Sequence, residues 1–181
     1  MNARAPLAAE DLAQRLARVE ARAAIADLMQ DYADAADRKY TALREKAPAD
    51  EIAAAAQAQA ACFTPDAVWS GGGFGGDLVG RGTIAEFFTR SPWVFTAHHY
   101  GSMAVRFASD EQADVRWRLI ELGIPDGGGR VLLMTGAIAQ DCQLTPDGWR
   151  IARMRFDRLH AVELADDPAA LRCLIPAGES L

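Results

Sequence analysis

FTAHHYGSMAVRFASDEQADVRWRLIEL, residues 95–122, holds two apolar segments on either side of the polar turn ASDEQ. A turn of that chemistry between two alternating runs joins antiparallel strands. The arrangement repeats downstream, where PDGGGR and TPDGW separate further runs. Extended segments are therefore expected at roughly 96–109, 112–124, 130–142 and 148–162, each hairpin-linked to the next.

Upstream the apolar period changes from two to between three and four. Leu12, Leu16, Val19 and Ala23, then Ile25, Met29, Tyr32 and Ala36 on a shifted stripe, predict a long amphipathic helix over 8–40. Pro48 and Asp50 suit the start of a second, alanine-rich helix over 48–63, with small residues suited to close packing. Val68 and Trp69 begin the first strand of a sheet expected over 66–162, interrupted by a short helix over 83–90 that Thr83 is placed to cap. The tail, 163–181, is polar, with a short helix expected at DDPAALRCL. Helices followed by hairpin-linked strands indicate an α+β fold around one antiparallel sheet. A chain of 181 residues, half of them hydrophobic, fits a single domain spanning 1–181.

Composition excludes several classes of function. The 19 basic and 25 acidic residues give a net charge of -6, and no basic run exists to follow a nucleic-acid backbone. Cys62, Cys142 and Cys173 are odd in number and widely spaced, which fits reduced thiols better than a disulfide framework or zinc site. The N-terminus is acidic where a signal peptide is apolar, and no window is long enough to span a membrane. A cytoplasmic, soluble protein without membrane partners is the expectation.

Three chemistries compete for the distinctive residues. Gly71, Gly73 and Gly76 formally satisfy G-x-G-x-x-G, but no helix follows to receive a pyrophosphate, so a mobile loop or cavity lid over 71–76 is the better reading. His98 and His99 are adjacent on a strand, point to opposite faces and cannot share a metal ion without a bulge. No metal and no cofactor are expected. Unbroken alternation places His99 with Gly101, Met103, Val105 and Phe107 on the apolar face, and His98 with Tyr100, Ser102, Ala104 and Arg106 on the other. Asp37, at the edge of the first helix's apolar stripe, is the carboxylate best placed to meet a buried imidazole. Such a contact would fix the tautomer and make a general base.

The segments ARAAIADLMQDYADAADR, FTPDAVW, GRGTIAEFF, HHYGSMAVRF and DGWRIARMRF, in that order, resemble the SnoaL-like branch of the nuclear transport factor 2-like superfamily. Hexachlorocyclohexane dehydrochlorinases and, more distantly, scytalone dehydratases are the members most alike. The resemblance implies a cone-shaped fold, with N-terminal helices packed on a strongly curved mixed or antiparallel sheet enclosing an apolar pocket. It also implies a cofactor-independent lyase with Asp37 orienting His99 as the base. The substrate would be a small apolar cyclic or aromatic molecule, and the reaction an elimination such as dehydration, or a carbon–carbon cleavage such as deformylation. Halide elimination is not implied, because Tyr32 stands where the dehydrochlorinases carry a cation. Isomerases and polyketide cyclases share the fold, as do noncatalytic binding modules and dioxygenase β subunits, which need no Asp–His pair. Tyr40, Trp69, Tyr100 and Trp117 are the expected wall or hydroxyl groups, and Arg153 and Arg155, grouped with Trp149 and Ile151, the expected oxyanion partners. A homo-oligomer, dimer or trimer, is the expected assembly.

Overall fold

The computed structural model describes residues 9–72, 76–127 and 130–164. The centre of the glycine loop, the tail helix expected at DDPAALRCL and Cys173 lie outside them. Among the described residues, three helices, α1 (Ala9–Asp37), α2 (Ala49–Ala61) and α3 (Arg81–Thr89), accompany six strands: β1 (Phe63–Ser70), β2 (Asp77–Val79), β3 (Trp93–Phe107), β4 (Gln112–Pro125), β5 (Leu132–Thr145) and β6 (Gly148–Glu163). The strands form one sheet in the order β2-β1-β6-β5-β4-β3. β3 to β6 are successive antiparallel hairpins, and β1 joins β6 in parallel, so the sheet is mixed.

The helices cover one face of this sheet. Ile25, Leu28, Met29, Tyr32 and Ala36 form the buried seam of α1, at the spacing that keeps side chains on one side of a helix. Leu12, Leu16 and Val19 are 59, 55 and 64% exposed, so the first apolar stripe of α1 is outside the core. On α2 the buried face is Ala55, Ala56, Gln59 and Ala60; its small residues admit α1 and α3 closely and bring one amide, Gln59, into the interior. Two expected boundaries are corrected. β1 starts at Phe63, not 66, and α3 starts at Arg81 with Gly80 as its unassisted N-cap, leaving Thr83 inside the helix.

Bulges control which side chains face inward. In β3 the register passes from Gly101 opposite Arg118 to Ala104 opposite Arg116, three steps against two, so β3 carries one extra residue. Ser102 absorbs it with φ 51°. One extra residue inverts the parity of everything beyond it. Met103, Val105 and Phe107 consequently share the inner face with Tyr100, His98 and Thr96, and His99 turns outward. β6 repeats the device between Ile151, opposite Cys142, and Arg153, opposite Asp141. Trp149 and Ile151 point inward before that bulge and Met154 after it.

Left-handed backbone costs an L-residue with a Cβ about 1–2 kcal/mol. Ser102 is exposed, so its replacement changes little but that cost. Ser102→Gly is expected to leave stability unchanged or raise it by up to about 1 kcal/mol, and Ser102→Val to lower it by about 1–2 kcal/mol. Denaturant melts of both variants check this; equal stability would mean that the bulge does not hold this φ.

Candidate functional site

Asp37 ends α1, and the chain then turns sharply: the Tyr40 amide donates to the Asp37 carbonyl at 3.1 Å, and Tyr40 bridges to Lys46. The turn lies against β3, which among the described residues is the sheet's edge and pairs with a strand on one side only. Its spare backbone donor is used by the helix end. The His98 amide donates to Asp37 Oδ2 at 2.8 Å, the Thr96 hydroxyl donates to Oδ1 at 2.9 Å, and His98 Nδ1 lies 2.6 Å from Oδ1. With Nδ1 as the donor, the carboxylate fixes the tautomer and leaves Nε2 without a proton. On that side stands Glu121, directly opposite on β4, with Oε1 3.4 Å from Nε2. Tyr100 stacks on the imidazole, with ring centres 5.9 Å apart and planes at 17°.

The residues sit around a cavity of about 110 Å³ at the end of the helix layer. His98, Glu121, Lys39, Tyr40 and Gln59 supply its polar wall, and Trp69, Phe87, Phe88, Trp93 and Phe156 the aromatic one. The volume is of the order that accepts one small ring, since a cavity of about 150 Å³ holds benzene. Gly71 matters here because a Cβ at that position would run into the Trp69 ring. The Trp69 indole is 4% exposed, and among the described residues its N–H has no hydrogen-bond partner of good geometry, although the Tyr32 hydroxyl is close enough to be influenced by it. Tyr40 and Ser91 hydrogen-bond each other at the rim.

Charges in the site shape one another. Burial alone would raise Asp37, but hydrogen bonds and charge from His98, with Thr96, hold it below its ordinary 3.8. Burial would depress His98, yet Glu121 and Asp37 keep it above 6.5. Burial raises Glu121, with His98 opposing. Lys39 is 6% exposed, and burial brings its ammonium down from 10.5 to about 8 against the pull of Asp37 and Glu121. The raised His98 stabilises the fold fully below its unfolded value near 6.5, an advantage lost as pH rises through its folded pKa. The depressed Asp37 stabilises above 3.8, an advantage lost as pH falls through its folded pKa.

Several sequence expectations change at this point. Asp37 meets His98 and not His99, which is exposed on the outer face opposite Ile120, because of the extra residue in β3. Arg153 and Arg155 lie outside as well, 46 and 43% exposed beside Asp141, because the β6 bulge separates them from Trp149 and Ile151. Trp117 is in the core, where its indole donates to Gln140 at 2.9 Å, and does not line the cavity. Tyr100 lies behind the imidazole, outside the lining; Tyr40 and Trp69 do line the cavity.

Lys39 and Glu121 were not singled out from the sequence. Glu121 carried a signal, as the lone charge in the inward series Ala113, Val115, Trp117, Leu119, Glu121, Gly123. Lys39 carried a fainter one, as one of two lysines in a chain with 17 arginines. Among the described residues no cluster of three or more metal-ligating side chains occurs, and no helix is long and apolar enough to cross a membrane.

A family described as SnoaL-like domain matches residues 17–155. A candidate aromatic ring hydroxylase from Novosphingobium aromaticivorans is similar in structure, with 29% identity, a TM-score of 0.65, and coverage of 80% of this chain and 94% of that one. A candidate scytalone dehydratase from the same organism has 16% identity and a TM-score of 0.65, over 91% of this chain and 98% of the other. Hexachlorocyclohexane dehydrochlorinase LinA-type3 from Novosphingobium barchaimii has 17% identity and a TM-score of 0.64, over 82% and 94%. At such identities the likeness is one of fold. No curated relative matches the sequence.

Proposed function

Because the chain belongs to the SnoaL-like domain family, an NTF2-like α+β fold with lyases among its structural neighbours, we propose that it is itself a lyase that uses His98 as a general base. The observation that carries this reading is the Asp37 carboxylate 2.6 Å from His98 Nδ1, with the ring lining a cavity of one-ring size. His98 Nε2 takes a proton from a carbon of the substrate. The electron pair of that C–H bond becomes the new double bond, and the leaving group departs with its own bonding pair. Asp37 stabilises the imidazolium that forms, and Glu121 faces the same charge from the other side. No further redox partner is needed for that balance. The aromatic wall favours a small, largely apolar cyclic or aromatic substrate.

The base must be neutral to accept a proton. Since Glu121 and Asp37 raise His98, activity is expected to climb with pH through a value above the ordinary 6.5. Incubating the protein in D2O with small cyclic alcohols and aromatic compounds, followed by NMR, tests the reading. Deuterium exchange at carbon, or loss of water, is expected for at least one compound, and Asp37→Asn should slow it about a hundredfold or more. No exchange with any compound, or equal rates in Asp37→Asn, would overturn the assignment.

A further inference from the structure

Lys39 has a surrounding unusual for a buried cation. Its Nζ donates to Gln59 Oε1 at 2.9 Å and, at the longer distance of 3.4 Å, to the Phe88 carbonyl, and it lies 5.3 Å from the centre of the Phe88 ring. Among the described residues no carboxylate comes within ion-pair distance of it. An ammonium carries three N–H donors, so one remains beyond those two contacts. Burying a charge without a counter-ion is costly, and such charges are normally paired. Lys39 is nonetheless 94% buried, and it lines the cavity that His98 lines. The buried Trp69 indole N–H, close to the Tyr32 hydroxyl, belongs to the same wall.

We propose that Lys39 is the anion-binding group of this cavity, and that its ligand is a phenolic or enolic oxygen whose developing negative charge supplies the missing counter-ion. This rests on the lyase reading for its place in a reaction, and it narrows the substrate class. The molecule carries an acidic oxygen for Lys39 and an abstractable C–H for His98, on one small ring or conjugated chain. Charge removed from carbon by the base would then be delocalised to an oxygen held by the ammonium.

The groups facing Lys39 agree with this assignment. From α1 comes Asp37, already engaged by Thr96 and His98. From α2 comes the Gln59 amide, from α3 the Phe88 carbonyl and ring, from β3 His98, and from β4 Glu121. Glu121, which faces His98 Nε2 at 3.4 Å, also opposes an incoming anion, and burial raises its pKa and makes it easier to neutralise. The aromatic wall holds the carbon frame, and a neutral hydrocarbon would leave the third ammonium donor of Lys39 unsatisfied.

The test is a binding measurement that needs no turnover. 4-Nitrophenol titrates near neutrality, and its phenolate is coloured, so the ionisation of the bound probe is read directly by absorbance. With the wild-type protein the bound probe is expected to ionise about one pH unit or more below the free probe, equivalent to about tenfold preference for the phenolate. Lys39→Met, similar in length and uncharged, should remove that shift while retaining the native circular dichroism. Binding only as the neutral phenol, no binding, or a shift retained in Lys39→Met would overturn the proposal. Loss of fold in Lys39→Met would leave the wild-type shift to decide, and an unshifted or raised pKa there is equally fatal. The lyase reading fails separately, on carbon exchange and the Asp37→Asn comparison.

Discussion

Replacing His98 with alanine is expected to lower turnover by about a hundred- to ten-thousandfold, the usual contribution of a positioned general base, whereas His99→Ala should leave it unchanged. The two residues are chemically identical neighbours, so the comparison isolates position. His98 lies between Asp37 at 2.6 Å and Glu121 at 3.4 Å inside the cavity wall, while His99 is exposed on the opposite face of the sheet. The assay is exchange or elimination with whichever compound responds in D2O, supported by melting curves for both variants. Activity lost in His99→Ala and kept in His98→Ala would refute the inward placement of His98. Removing the imidazole also leaves Glu121 buried beside Asp37 with no cation between them. Partial activity in His98→Ala is thus expected to be accompanied by a further rise in the Glu121 pKa, visible as an upward shift of its carboxyl titration in a labelled sample.

Lys39→Met carries the second large effect, and its sign separates function from stability. A fall from 10.5 to about 8, at about 1.4 kcal/mol per pH unit, corresponds to about 3 kcal/mol of destabilisation near neutral pH. Methionine avoids that cost but leaves Gln59 Oε1 without its donor, so the expected net gain is about 0–2 kcal/mol, or up to roughly 4–8 °C in melting temperature. The pH dependence is a stricter check. Between about 8 and 10.5 the unfolded chain binds more protons at this lysine than the folded one, so the wild type gains stability as pH rises through that window. Lys39→Met should lose this gain, and the two melting temperatures should converge. A variant less stable than the wild type at neutral pH would make Lys39 a structural anchor for Gln59 and Phe88. A group retained at a cost in stability is the signature of a functional site, which is why the stability measurement belongs beside the phenolate titration.

The helices, the hairpins and their order were legible because each rests on local rules. The period changes from between three and four to two where helices give way to strands, and ASDEQ and TPDGW contain the residues that turns demand. Asp37 was legible for a similar reason: a carboxylate at the edge of an apolar stripe, near a helix end, is unusual wherever it occurs. Lys39 was harder, because its sequence context, DRKY, has the polarity of any exposed turn, and only the packing of α2 and α3 over that turn makes it buried. Glu121 stood on an inward series that alternation had marked correctly, but a single carboxylate gives no sign of its partner until β3 is laid against β4.

What the sequence determined by itself is the α+β class, the strand order in the chain, and the inward series of β3 after its bulge, Met103, Val105 and Phe107, and of β6 before its own, Trp149 and Ile151. The choice between His98 and His99, and the place of Arg153 and Arg155, belonged to the tertiary structure. Strand faces repeat every two residues, so a bulge of one residue reverses them all; in β3 Gly101 stands beside the bulge but Ser102 holds the left-handed position, and in β6 Ile151–Arg153 shifts register with no glycine or proline to announce it. In β3 the extra residue puts Val105 and Phe107 on the same face as Thr96, His98 and Tyr100, the face that meets α1, and that packing exists only once the sheet has met the helix.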